Sequence, residues 1–473
     1  CFFRKYHDMQ YTDTIAAIST SMSPSGIGIV RMSGEEAFKI ADKIYKGKKG
    51  KKLSGQKSHT IHYGHIVDNE NVIDEVLVML MKGPHSYTGE DTVEINCHGG
   101  VYVVRRVFET LIKYGARPAE PGEFTKKAFL NGRMDLSQAE AVGDLIASKN
   151  EYALKSSISQ LNGNIKQKIS DIRNKIIYHT AFIETALDDP EHISVDGYGD
   201  VLAKEIDSLM MEISHLLSTC DDGRIIKEGI RTVIVGKPNA GKSSFMNVLL
   251  GEERAIVTDI AGTTRDVLEE HISLQGISLN LMDTAGIRDT DDYVEQIGVE
   301  RAKGQVEDAD LILYVIDASV PLDENDDEIF RIIAGKHAII LLNKSDLEVV
   351  VSKNEIENRI NAGNPAYSIP VIHVSAKENV GISEFSNILK DMFFEGELSF
   401  NDEIYITNIR HKTALQSAYE ALGRVKESID AGMPEDFYSI DLMAAYEELG
   451  SITGETIGED LINEIFSKFC MGK

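Results

Sequence analysis

The stretch Gly236-Lys237-Pro238-Asn239-Ala240-Gly241-Lys242-Ser243 constrains this chain more than any other. It reads G-x-x-x-x-G-K-S, a loop whose backbone N–H groups curl around phosphate oxygens. The motif carries weight only between a strand and a helix. Here the β-branched run Thr232-Val233-Ile234-Val235 precedes it and Ser244-Phe245-Met246-Asn247-Val248-Leu249-Leu250 follows, so both flanks have the required pattern. The N-terminus of that helix adds positive potential at the phosphates. In this reading Asn239, Ala240, Gly241 and Ser244 contact the nucleotide, Lys242 is the catalytic cation on the β- and γ-phosphates, and Ser243 ligates Mg2+.

From about Gly229 to Phe394 strand and helix patterns alternate, as in a doubly wound sheet, and each strand runs into a motif. The strands expected after the loop are Ser278–Met282, Leu311–Ile316, Ala338–Leu342 and Val371–Val374. Asp283-Thr284-Ala285-Gly286 closes the first. Asp283 would hold Mg2+ through water, and the Gly286 N–H would meet the γ-phosphate. Asn343-Lys344-Ser345-Asp346 closes another. The Asp346 carboxylate can accept from both N1–H and N2–H2 of guanine, a donor pair adenine lacks, so GTP is expected and ATP disfavoured. Ser375-Ala376-Lys377 would supply backbone to the guanine carbonyl. Thr264, in Thr258-Asp259-Ile260-Ala261-Gly262-Thr263-Thr264-Arg265-Asp266, is the expected second Mg2+ ligand, in a segment the γ-phosphate orders. Many GTPases place Gln after D-x-x-G to orient the attacking water. Here that residue is Ile287, so another group must do so. Glu295 is the candidate, and Arg288 is the nearest cation.

The remaining chain bounds what else is present. Its 473 residues leave room for roughly three domains. No apolar run approaches the roughly 20 residues of a membrane span. The first eight residues are too short and too polar for a secretory signal, and Met9 offers a natural start. Four scattered cysteines without metal spacing point to a reduced, cytoplasmic setting. A net charge of −27 argues against a passive nucleic-acid coat, though local patches or a basic partner could still meet RNA. The basic run Lys46-Gly47-Lys48-Lys49-Gly50-Lys51-Lys52 contains G-x-x-G, but no helical stripe follows, so it reads as a solvated hairpin or loop rather than an RNA clamp.

Asp13 to about Gly122 reads mostly as strands, with a helix from about Val101 to Tyr114, giving an α+β domain. Alternation by itself favours a polar, solvent-facing side for Arg31 and Glu94, with the lining of a polar ligand pocket as the other reading. Ser137 with Glu140 forms an S-x-x-E capping box. Beyond it Leu154, Ile158, Leu161, Ile165, Ile169, Ile172 and Ile176 recur at spacings of three and four, predicting one long amphipathic helix. Similar stripes are Leu202, Ile206, Leu209, Ile213, Leu216, then Leu415, Ala418, Leu422, Val425, Ile429 with Gly432 as a stop, then Leu442, Ala445, Leu449, and last Leu461 and Ile465. Single stripes must be buried, so helices before and after the nucleotide domain are expected to form one bundle, with that domain inserted between them. The expected boundaries are 1–127, 128–228, 229–395 and 396–473.

With these motifs in hand the chain resembles the tRNA-modification GTPase family MnmE, also called TrmE. Gly262-Thr263-Thr264-Arg265-Asp266, Asp283-Thr284-Ala285-Gly286, Tyr87-Thr88-Gly89-Glu90-Asp91, Pro121-Gly122-Glu123-Phe124 and the tail Phe469-Cys470-Met471-Gly472-Lys473 carry the likeness. The tail resembles the family's F-C-I-G-K, with Met471 for Ile. The resemblance implies a folate-binding-like N-terminal domain that dimerises, a helical domain and an inserted Ras-like GTPase domain. It implies a formyl-tetrahydrofolate-type cofactor contacted by Arg31, Glu94, Arg133 and Lys473, which moves Arg31 and Glu94 from the solvent face to a ligand pocket. Some members carry Lys where Arg133 stands, which keeps the charge but not its geometry. It implies a K+ ion held by Asn239, Thr258, Ile260 and Thr263 in place of an arginine finger, and makes Glu295 the water-orienting group. An FAD-dependent partner, MnmG (GidA), is implied as well, in a heterotetramer or larger assembly that modifies carbon 5 of the wobble uridine of certain tRNAs. Cys470 has either a chemical role near the folate or that of a small buried apolar residue. A ribosome-assembly GTPase is the rival reading; relatives of that kind carry an RNA-binding domain after the GTPase domain, where this chain has helices. A folate-dependent transferase with a vestigial nucleotide domain is opposed by the intact motifs.

Overall fold

Strand alternation around residue 30 builds the first half of the molecule. In Ile27–Ser33 (β2), Val30 and Met32 are fully buried under helices, and Arg31 points to the opposite face. The computed structural model describes residues 13–47, 50–193, 197–252, 270–274, 276–282, 306–307, 309–361, 369–394, 404–470 and 472. Strands β1 (Ile15–Ile18), β2, β3 (Tyr45–Gly47), β4 (Thr60–Asp68), β5 (Asn71–Met81), β6 (Thr92–His98) and β7 (Arg117–Pro118) form one seven-stranded sheet in the order β3-β4-β5-β6-β2-β1-β7. All neighbours are antiparallel except β1 and β7. Helices Ala37–Ile44 and Val101–Lys113 cover one face through Ile40, Ile44, Val104, Val107 and Leu111. The first of these helices was not anticipated; it is only 8 residues long and is stabilised by that contact rather than by its own sequence.

The chain divides into two compact units. The first contains this sheet and spans Cys1–Ala147, Ser157–Ser214 and Arg410–Lys473; the second spans Ser148–Ser156 and His215–Ile409. The expected long helix is two helices, Glu151–Leu161, whose first residues belong to the second unit, and Asn164–Asp188 of the first. The break falls at Gly163, whose φ of 92° suits glycine and few other residues. Upstream of the break Leu154 and Ile158 are exposed, so the apolar stripe starts in earnest at Ile165. Ile165, Ile169, Ile172 and Ile176 are buried, as are Leu202, Ile206, Leu209 and Ile213 of helix Tyr198–Ser218. Leu415, Leu422 and Val425 of helix Ile409–Asp430, and Leu442 and Leu449 of helix Asp436–Thr453, complete the bundle. Arg173 fastens residues distant in sequence: its guanidinium lies 4.0 Å from the Tyr446 ring centroid, donates to the Tyr446 carbonyl at 3.2 Å and pairs with Glu455 at 2.7 Å. The last stripe is off by one position. In Glu459–Ser467 the buried residues are Ile462 and Phe466, while Leu461 is exposed.

The capping box is also displaced. Asp135 caps helix Leu136–Ala147: its carboxylate accepts from the Gln138 N–H at 3.0 Å, and Gln138 Oε1 accepts from the Asp135 N–H at 3.1 Å. Glu140, released from that role, is buried against the fully buried His411 and against Arg410. His411 Nε2 lies 2.8 Å from its carboxylate, and Arg410 approaches at 2.8 and 2.9 Å. Burial alone would raise the Glu140 carboxyl; the hydrogen bond and charge of His411, then those of Arg410, outweigh it and bring the group down to about 2.

The second unit holds a six-stranded sheet of β8 (Ile230–Val235), β9 (Glu270–Leu274), β10 (Ile277–Leu281), β11 (Leu311–Asp317), β12 (Ala338–Asn343) and β13 (Val371–His373). The order is β13-β12-β11-β8-β10-β9, parallel except for edge strand β9, which was not anticipated. Both faces are covered. Along β11, Leu311, Leu313 and Val315 enter one core with Phe245 and Phe385; Ile312, Tyr314 and Ile316 enter the other with Phe330 and Ile356. That explains the unbroken apolar runs of β11 and β12.

Because the Glu140 carboxyl is depressed on folding, its contribution is present above the ordinary 4.5 and fades as pH falls toward 2. Glu140→Gln is expected to lower unfolding free energy at pH 7 by about 3 kcal/mol. The gap to the parent chain, measured by chemical denaturation, should narrow between pH 4.5 and 2. A gap that does not change with pH refutes the assignment.

Candidate nucleotide-binding site

The carboxyl ends of β8 and β12 bring the phosphate-loop and base-recognition motifs together. After Val235 the chain turns sharply at Gly236, with φ 153°, where a side chain would strike the Val315 carbonyl at 2.4 Å. Asn239 adopts φ 60° and Gly241 φ 96° before helix Lys242–Glu252 begins. Lys242 curls back over the loop, donating to the carbonyls of Gly236 and Lys237, each at 2.7 Å. Burial pulls its ammonium below the usual lysine range. These bonds hold the lysine at the loop's centre, where the β- and γ-phosphates of a nucleotide would take over the ammonium. Ser243 and Ser244 follow in the first turn of the helix, Ser243 partly buried and Ser244 exposed.

Asn343, at the end of β12, is 2% exposed and ties three segments together. Its Nδ2 donates to the Ala240 carbonyl at 2.8 Å, and its Oδ1 accepts from the Ala376 N–H at 3.3 Å. A Cβ on Gly241 would lie 2.0 Å from that Nδ2, so only glycine fits there. Lys344 takes a left-handed φ of 61° and pairs with Asp317 at 2.6 Å. Asp317 was not anticipated, although its place at the end of a buried parallel strand is the signal that could have found it. Asp346 is exposed; Ser375 Oγ donates to its Oδ1 at 2.7 Å, and that bond is the first cause of a carboxyl held below the usual range. One carboxylate oxygen is thus fixed and ionised, ready to accept from a ligand. Lys377 is exposed beside it. Thr258, Ile260, Thr263, Thr264, Asp283, Thr284, Ala285, Gly286 and Glu295 lie outside the described residues.

A second constellation lies in the first unit. The β2–β6 register places Arg31 opposite Glu94, and Arg31 Nε donates to Glu94 Oε1 at 2.7 Å. Their side chains are 14% and 13% exposed, so the solvent-facing reading of the alternation is wrong. The reason is coverage of that face by Tyr87 and Phe124, with ring centroids 5.4 and 5.7 Å from the Arg31 guanidinium. The Gly472 carbonyl accepts from Arg31 Nη1 at 3.3 Å. Arg133 stacks on the same Tyr87 ring at 5.0 Å and lines a cleft of about 710 Å³ with Glu35, Glu90, Asp91 and Asn131. Arg31 and Arg133 therefore share the Tyr87 ring, a ring given no role from the sequence, and Glu94 joins them through Arg31. Lys473 lies outside the described residues. Cys470 is exposed, which removes its reading as a small buried apolar residue, whereas Cys97 and Cys220 are buried. Burial pushes the Cys97 thiol up to about 11.

A glycine-turned loop wrapped around a lysine, joined through Asn343 to the loops that carry Asp346 and Ser375, is the frame of a P-loop nucleotide-binding protein. Residues 14–133 match the family described as GTP-binding protein TrmE N-terminus, and residues 136–470 match the MnmE helical domain. The chain is 56% identical to the tRNA modification GTPase MnmE of Lachnoclostridium phytofermentans over 98% of this chain and 100% of that one. It is 50% identical to that of Acetivibrio thermocellus, over 98% and 100%. It is 46% identical to that of Bacillus subtilis, again over 98% and 100%. The chain belongs to the MnmE (TrmE) family of tRNA modification GTPases.

Asp346→Asn is expected to exchange guanine recognition for xanthine. GTP affinity should fall on the order of a hundredfold, with xanthosine triphosphate gaining, because the carboxylate's matched acceptor pair is lost. Competition binding measures it, and an unchanged GTP preference would place the base elsewhere.

Proposed function

We propose that this chain is a K+-activated GTPase that works with an FAD-dependent MnmG-type partner. Together they place an aminomethyl or carboxymethylaminomethyl group on carbon 5 of the wobble uridine of certain tRNAs, using a folate one-carbon donor. The observation that carries the nucleotide half is the pairing of Lys242 on its loop carbonyls with Asp346 on Ser375, two anchored ends of one guanine nucleotide. The names of the full-length relatives support the tRNA half.

Mg2+ would be held by Ser243 and Thr264, with Asp283 acting through water. K+ would be held by Asn239, Thr258, Ile260 and Thr263, supplying positive charge beside the β- and γ-phosphates. Ile287 cannot orient water, which leaves that task to Glu295. The left-handed backbone of Asn239 on the loop's rim is compatible with a ligand role for its side chain.

The residues around Tyr87 fit a folate. A flat aromatic ring, two guanidinium groups and a carboxylate offer stacking, anion contacts and an acceptor for pterin amide and amino donors. The adjoining cleft has the volume of a small-molecule site. When bound, the folate would supply the one-carbon unit; Arg31, Glu94, Arg133 and Lys473 would bind and orient it. Cys470, exposed on the tail, is proposed to act near it. Homodimerisation through the N-terminal domain is supported by exposed Ile61, Tyr63 and Leu77 on paired strands β4 and β5. Among the described residues no helix is long and apolar enough to cross a membrane.

Two measurements test this reading. GTP hydrolysis should run at least about tenfold faster in K+ than in Na+ at equal ionic strength, since a stabilising charge in the transition state is worth that much or more; equal rates remove K+ from the mechanism. Mass analysis of wobble nucleosides from cells lacking the protein should show loss of the carbon-5 substituent, and an unchanged nucleoside profile refutes the tRNA assignment.

A further inference from the structure

Lys237, the second residue of the phosphate loop, has a side chain used by none of the roles above, yet that side chain is tied to two carboxylates. Its ammonium meets Asp326 at 2.5 Å and Asp323 at 2.7 Å. Asp326 is 2% exposed and both its oxygens are engaged. Oδ2 accepts from Lys237 and from the Asp323 N–H at 2.7 Å, and Oδ1 accepts from the hydroxyl of fully buried Tyr314. Asp323 and Asp326 form the capping box of helix Glu324–Ile333, with Asp323 accepting from the Asn325 N–H at 2.9 Å. Tyr314 comes from the middle of β11 and packs edge-on against Phe330 of the same helix, ring centroids 5.6 Å apart. The carbonyl of Lys237 is one of the two that hold Lys242. An unbroken chain of contacts therefore runs from the core strand through Tyr314, Asp326 and Lys237 to the lysine that meets phosphate.

We propose that Lys237 is a positioning residue for guanine-nucleotide binding: its ion pair with buried Asp326 pins the start of the phosphate loop to helix Glu324–Ile333 and keeps the loop in its binding shape before nucleotide arrives. A carboxylate that is nearly out of water favours its cationic partner strongly and keeps it in one place. A loop already held in shape loses less conformational freedom when it closes on a ligand. Lys237 thus acts on affinity. It does not touch the γ-phosphate and contributes little to the chemical step.

The inference rests on reading this loop as the phosphate site, and the experiment separates the two. With the full chain and fluorescent GDP as probe, Lys237→Met should weaken affinity about tenfold while kcat at saturating GTP stays within about twofold. Lys237→Arg, which retains the charge opposite Asp326, should recover most of the affinity. Wild-type affinity in Lys237→Met overturns the proposal. A fall in kcat without a fall in affinity also overturns it, because that assigns Lys237 to the reaction. Should Lys237→Met fail to fold, Asp326→Asn carries the test: its amide oxygen can still accept from the Asp323 N–H, and it removes the buried one of the two charges that Lys237 meets. Tenfold weaker binding then supports the pairing and unchanged binding refutes it. Lys242→Ala is the control, since a Lys242→Ala chain that still bound guanine nucleotide would sink the phosphate-loop reading itself.

Discussion

The nucleotide site depends on one buried amide. Asn343 donates to the phosphate loop through Ala240 and accepts from the base-side loop through Ala376. With both ends occupied and 2% exposure, it has almost no freedom to turn. The spacing between the Gly236–Ser243 loop and the Ser375–Lys377 loop is therefore set by one side chain. The strict demand for glycine at position 241 follows from the same contact, since the amide fills the space a Cβ would need.

Buried charge is handled in the same way at several places among the described residues: the ion is fixed by more than one partner. Glu140 meets Arg410 and His411, Lys127 meets both oxygens of Glu90 and the Asp13 carbonyl, and Asp310 meets Arg224 and Arg231. Burial alone would raise the Asp310 carboxyl, but hydrogen bonds from the two arginines bring it to about 2. For a chain of net charge −27 this matters, because acidic groups carried inward need cations drawn from a smaller pool. Removing one partner would strand the other in a medium that solvates it poorly.

Much of the pocket was legible in the sequence because its motifs join strand ends to fixed backbone turns. Gly236, Lys242, Asn343 and Asp346 occupy the places their spacing implies, at the ends of β8 and β12. The parallel strands were legible for a related reason, since burial on both faces leaves an unbroken apolar run. What escaped was decided by contacts across the chain. Asp135 took the cap that Ser137 was assigned, because its carboxylate and Gln138 satisfy each other; that left Glu140 for a partner 270 residues away. Arg31 looked solvent-facing because no local pattern announces that Phe124 and Tyr87 cover its strand face. A break at Gly163 hid inside a regular apolar stripe, because spacing alone does not report a left-handed turn.

The first unit is assembled from pieces that leave the ribosome at different times. Its helix Asn164–Asp188 buries isoleucines in a bundle that takes helix Tyr198–Ser218 from before the inserted stretch and helices Ile409–Asp430 and Asp436–Thr453 from after it. The intervening His215–Ile409 stretch takes roughly 10–40 s to synthesise at about 5–20 residues per second. Throughout that interval Ile165, Ile169, Ile172 and Ile176 lack the partners that the helices after residue 409 supply, while the inserted unit, contiguous apart from one short segment made earlier, has its sequence complete by the end of it. Biogenesis of this chain therefore places its greatest aggregation hazard on the older, N-terminal helices, and a chaperone that shields apolar helix faces would serve them first.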